Sequence, residues 1–147
     1  MAVGGCFALP LETFSYHLAL AAGRLDIPGF IRRCADFGLD GVQLNMGHLG
    51  PYLKATPDGV RRVRDLTAGL GLFVEIDSRG TDPAHLTAML ELCSALGADV
   101  LRTYASVDPP PPAGPAGLCG ASEAAYVSHR VKLAERLREA PANLRAV

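Results

Sequence analysis

Apolar positions along the chain repeat with two periods, one helical and one strand-like, in regular turn. Phe30, Ile31, Cys34 and Phe37 fall on one helical face, with Asp26 ahead of them as an N-cap and Pro28 in the first turn. Gly38 closes this helix, and Val42–Asn45 reads as a strand. Thr56 caps a second helix with Pro57 at its first position and a stripe at Val60, Val63, Leu66 and Leu70; Gly71 ends it, and the strand Phe73–Asp77 follows. Asp82 and Pro83 open a third helix that turns Leu86, Met89, Leu90, Cys93 and Leu96 inward, and Gly97 separates it from a strand at Val100–Thr103. Ser122 opens a fourth helix carrying Val127, Val131, Ala134 and Leu137, and Leu144–Val147, past Pro141, starts one more strand. Before all of these, Phe14–Leu18 reads as the first strand.

Strands that alternate with helices predict βαβ crossovers and therefore a parallel sheet, in an α/β fold. A doubly wound open sheet and a (β/α)8 TIM barrel both satisfy that order. No strand is followed by G-x-G-x-x-G or by a Walker loop, which weakens the dinucleotide and nucleoside-triphosphate readings.

The polar residues of the strands carry the candidate chemistry. Gln43 and Asn45 are two apart, as are Glu75 and Asp77, so each pair projects from one face of its strand. Arg102 stands near the end of the fourth strand and His17 near the end of the first. Val42, Leu44, Val74 and Ile76 then face the helices, and the polar set faces away from them. A buried carboxylate requires an arginine or a cation, and Arg102 is the natural partner for Glu75 or Asp77.

Composition narrows the classes of function. The chain has 147 residues, enough for one domain, and 49% apolar content excludes a disordered chain. A formal net charge of −1 offers no basic excess for nucleic acid. No apolar run reaches membrane-spanning length and no secretory signal is visible, so neither a membrane nor export is expected. Cys6, Cys34, Cys93 and Cys119 are scattered without zinc spacing and read as free thiols of a cytoplasmic protein, Cys34 and Cys93 in the core. His48 lies in the loop after the second strand, while His85 and His129 fall on helices and take no role. Arg61, Arg62 and Arg64 read as a solvated helix face. Residues 107–121, rich in Pro and Gly, form a loop after the fourth strand.

Four pieces in order carry a family resemblance: Ser15-Tyr16-His17, then Phe37-Gly38-Leu39-Asp40-Gly41-Val42-Gln43-Leu44, then Gly71-Leu72-Phe73-Val74-Glu75-Ile76-Asp77, then Leu96-Gly97-Ala98-Asp99-Val100-Leu101-Arg102. From Ser15 to Thr103 the chain resembles the first half of the xylose isomerase-like TIM barrels, the sugar phosphate isomerase/epimerase superfamily. The resemblance implies that residues 1–147 are the N-terminal half of a partial (β/α)8 barrel of about four βα units. It implies metal-assisted isomerisation or epimerisation of a small sugar-like, polyhydroxylated substrate in the intact fold. The divalent cation of such enzymes (Mn, Mg, Co or Zn) is held mostly by strands five to eight, so this chain alone is expected neither to hold it nor to be active. His17, Gln43, Asn45, Glu75, Asp77 and Arg102 are the expected substrate-binding residues. No residue is assigned as catalytic and none as a metal ligand. The alternative is a non-catalytic half-barrel that associates with itself or with a separate C-terminal half.

Overall fold

A computed structural model describes residues 8–104, 131, 132 and 134–142. Ser122, Val127, Leu144–Val147, the 107–121 segment, Cys6, Cys119 and His129 lie outside the described residues. The elements are β1 (Pro10–Glu12), a 3-10 turn (Thr13–Tyr16), α1 (His17–Ala21), α2 (Ile27–Asp36), β2 (Gly41–Asn45), α3 (Met46–Ala55), α4 (Gly59–Leu70), β3 (Phe73–Arg79), α5 (Pro83–Leu96) and β4 (Val100–Tyr104). Residues 134–142 are also helical.

The strands form one all-parallel sheet in the order β1-β2-β3-β4. Each strand lies beside its chain neighbour, with no reversal of order among them. Right-handed crossovers in such an order put the connecting helices on one side of the sheet, whereas double winding requires a reversal. Burial agrees with this. Val42 pairs with Val74 and Leu44 with Ile76, and all four pack with Ile27, Phe30, Ile31, Cys34 and Val63 from α2 and α4 in one core cluster.

Local chemistry sets the helix ends. The Asp26 carboxylate accepts the Gly29 N–H at 2.7 Å, as an N-cap does. At the other end of α2, Gly38 has φ +69°. Its N–H bonds the Ala35 carbonyl, and the Leu39 N–H reaches back to Cys34. The same pair of bonds closes α4 at Gly71 and α5 at Gly97. This repeated Schellman closure underlies the helix-Gly-strand rhythm of the sequence.

The structure corrects several expectations. The first strand is Pro10–Glu12, and Phe14–Leu18 instead winds through the 3-10 turn into α1. The Leu18–Ala22 run consists of strong helix formers, while the Asp40 carboxylate holds the Leu9 N–H at 2.9 Å and draws the earlier segment alongside β2. The loop expected after β2 is a helix, α3, in spite of Gly47, Gly50 and Pro51. Leu49 is fully buried there, and Met46, Tyr52 and Leu53 pack against the core. Thr56 ends α3 rather than capping the next helix, and α4 begins at Gly59 behind Asp58, whose φ is 57°. Phe37, at 61% exposure, Leu70 and Leu90 leave the core faces on which their spacing placed them, as do Val131 and Leu137. Phe37 and Leu70 sit at the ends of α2 and α4, and Leu90 on the flank of its stripe, where a 3.6-residue period has drifted off the buried direction. β3 and β4 run beyond Asp77 and Thr103, to Arg79 and Tyr104.

The described residues fall into two compact units. The first takes those up to Ser78 together with Leu90–Arg102, and the second takes Arg79–Met89 and those from Thr103 on. In the second, Thr103 Oγ1 donates to the Gly80 carbonyl at 2.6 Å, the Gly80 N–H donates to the Tyr104 carbonyl at 2.8 Å, and Asp82 caps the start of α5. Among the described residues no helix is long and apolar enough to cross a membrane.

Candidate functional site

The face of the sheet opposite the apolar residues is layered by strand register. Pro10, Gly41 and Phe73 form the row at the amino-terminal end. Phe73 lies so close over Gly41 that a Cβ there would meet its ring at 2.5 Å. Glu12, Gln43 and Glu75 form the next row, and Asn45 and Asp77 the one after. Period 2 brings all of them to one side, polar toward the carboxyl ends of the strands.

A single network joins the polar rows. The Asp77 side chain is only 3% exposed. Its carboxylate accepts from Asn45 Nδ2 at 2.6 Å and from Arg102 Nε at 3.2 Å. Arg102 Nη2 also lies 3.6 Å from Glu12 Oε2, so the guanidinium bridges carboxylates from β1 and β3. One amide atom of the buried Gln43 lies 2.6–3.2 Å from the three guanidinium nitrogens. An atom that close to all three sits over the planar group, not in its plane. The guanidinium carries only donors, so the amide oxygen belongs there. Arg102 remains 42% exposed while Asp77 is enclosed. Glu75 is half-buried in the Gln43 row.

Asn45 fixes the end of β2. Its N–H donates to Thr13 Oγ1 at 3.0 Å, and its Oδ1 accepts the Gly47 N–H at 2.8 Å as the cap of α3. One side chain therefore ends a strand, starts a helix and orients Asp77.

Of the expected site residues, Gln43, Asn45, Asp77 and Arg102 come together, and Glu75 shares their face. His17 does not lie at a strand end. It is exposed on α1, stacked on Phe14 at 4.9 Å, with Nδ1 donating to the Phe14 carbonyl at 3.0 Å. Glu12 and Thr13 join the network without having been expected. The signal for them was the short run Leu9-Pro10-Leu11-Glu12, a three-residue strand that the proline opens and a carboxylate ends. His48 is half-buried on α3, 6.2 Å from the Phe14 ring. Burial, and next the nearby His17, push its pKa below the ordinary value, against a smaller opposing effect of Glu12. Its Nδ1 is buried and has no partner among the described residues. Cys34 and Cys93 are buried free thiols; burial raises both, Cys34 to about 11.

Among the described residues no three His, Cys, Asp or Glu side chains gather to hold a metal. Asp77 and Glu12 face a guanidinium instead. The groups these residues present are hydrogen-bond donors and acceptors: two amides, carboxylates and a guanidinium. No family model matches the chain, and no curated protein matches it.

Proposed function

We propose that the polar face of the sheet is the substrate-facing side of an isomerase- or epimerase-type barrel and binds a small polyhydroxylated, sugar-like molecule. The reading rests on one observation. A sequentially ordered parallel sheet buries one face under helices and, on the other, links Glu12, Gln43, Asn45, Asp77 and Arg102 toward the strands' carboxyl ends. In a barrel that end is the active face. Amides, carboxylates and a partly exposed guanidinium together donate to and accept from vicinal hydroxyls. Asp77 and Asn45 are the positioning residues, while Arg102 and Gln43 offer groups to the ligand.

The test is a titration of the chain with xylose, fructose and myo-inositol, followed by the side-chain amide resonances of Gln43 and Asn45. Saturable shifts of these amides that Gln43→Ala abolishes support the reading. Shifts elsewhere only, or none with any of the three, reject it. A second reading, self-association, is favoured by Leu9, Phe14 and Leu18, large apolar side chains exposed near β1, at the edge of the sheet. Light scattering decides it, since a monodisperse monomer at all concentrations removes that reading.

A further inference from the structure

The basic run on α4 plays no part in the sheet face, yet it does not stand alone. Arg61 and Arg62 line a cleft of about 350 Å³ together with Arg32 of α2 and Tyr52 of α3. Arg61 is paired with Asp58 at 2.8 Å. Asp65, the acidic residue of the lining, is paired with Arg64 at 3.2 Å. The side chains of Arg32 and Arg62 make no hydrogen bond or ion pair among the described residues. Two uncommitted guanidinium groups thus converge on one concavity whose carboxylate is already occupied. Tyr52 is also a wall of a neighbouring cleft of about 370 Å³, which is lined mostly by apolar side chains including Leu20, Leu25, Ile27 and Pro51. Both volumes fall in the range of small-molecule sites.

We infer that the helical layer carries a second ligand site, for a small organic phosphate with an apolar body. The phosphate dianion is held by Arg32 and Arg62 and the apolar body lies in the adjoining cleft past Tyr52. The geometry favours this class on two grounds. Guanidinium groups match a phosphate in charge and in donor geometry. An inorganic anion would leave the apolar cleft unused, whereas a neutral apolar ligand would leave two cations beside it unpaired. The sequence suggested only a solvated arginine face because Arg32 and Tyr52 are far from that run along the chain. Helix packing alone brings them to it.

The test uses the full chain and calorimetric titration with octyl phosphate below its micellar concentration, methyl phosphate, octanol, and vesicles of phosphatidylglycerol. Octyl phosphate is expected to bind at one site, at least about tenfold more tightly than methyl phosphate or octanol. Arg32→Gln/Arg62→Gln is expected to weaken that binding about tenfold. Both arginines are exposed, so the variant is expected to keep the parent circular dichroism. Three outcomes overturn the proposal: octanol binding as well as octyl phosphate, binding unchanged in the double variant, or affinity only for the vesicles, which would make the patch a membrane contact. Absence of octyl phosphate binding overturns it as well.

Discussion

Replacing Arg102 by methionine probes how Asp77 is stabilised. The Asp77 carboxylate is 3% exposed and has two described partners, Asn45 Nδ2 at 2.6 Å and Arg102 Nε at 3.2 Å. Arg102→Met keeps a long apolar stem but leaves a buried anion with a single neutral donor. Breaking a fully buried pair from one side costs about 3–5 kcal/mol, and a fully exposed pair is worth about 1 kcal/mol or less. Arg102 is 42% exposed, so water screens the pair and the expected loss lies between these, about 1–3 kcal/mol. Asp77→Asn keeps the shape and an acceptor for Asn45 but removes the charge, for an expected cost of about 1 kcal/mol.

The double variant separates the pair from the other contacts of Arg102, Glu12 among them. Once Asp77 is neutral, loss of the guanidinium strands no charge. Asp77→Asn/Arg102→Met is therefore expected to be less destabilised than the two single costs combined, by about 1 kcal/mol. Urea unfolding at neutral pH, followed by circular dichroism, supplies the four midpoints, provided that the slope is unchanged. An Arg102→Met variant within about 0.5 kcal/mol of the parent, or a cycle additive to within about 0.5 kcal/mol, would refute the coupling.

Three further outcomes follow from the geometry. Ile76→Ala, on the helix-covered face and fully buried, should cost about 2–5 kcal/mol in the same assay, whereas Leu90→Ala, at 40% exposure, should cost far less; equal losses would contradict the assignment of faces. Gly41→Ala should cost about 1–3 kcal/mol because its Cβ meets the Phe73 ring, and Phe73→Leu in the same chain should relieve part of that loss. His48 has a lowered pKa in the folded chain, so the unfolded chain takes up the proton first and stability should fall as pH drops below about 6.5; a His48→Asn variant with the same acid slope would show that another group is responsible.

The sequence reveals what has a short period and a chemical stop. Parallel pairing and the buried faces of α2 and α4 were legible because Phe30, Ile31, Cys34 and Val63 repeat at helical spacing and a glycine closes both helices. The pairing of Asn45 with Asp77 was not stated in the sequence, but the face they share was. What escaped is what tertiary packing decides. Met46–Ala55 carries two glycines and a proline, so propensity argues against a helix, yet burial of Leu49 and the Asn45 cap hold one. Phe14–Leu18 has aromatic residues suited to a strand, but Thr13 Oγ1 on the Asn45 N–H ties the chain at the end of β2 and turns it into the 3-10 segment.

The misplacement of the first strand is also why His17 stands on α1 instead of at a strand end and why Glu12 went unseen. With the strand at Pro10–Glu12, its carboxyl-terminal polar residue is Glu12, in register with Gln43 and Glu75. Three carboxylates, Glu12, Glu75 and Asp77, then share a face with the Arg102 guanidinium, which Glu12 and Asp77 already flank. With carboxylates in excess over that guanidinium, this set of residues has little attraction left for an anion. Phosphate recognition therefore fits the arginines of the helical layer better than it fits Arg102. For the sheet face, the charge balance favours the neutral, hydroxyl-rich members of the proposed substrate class over the phosphorylated ones.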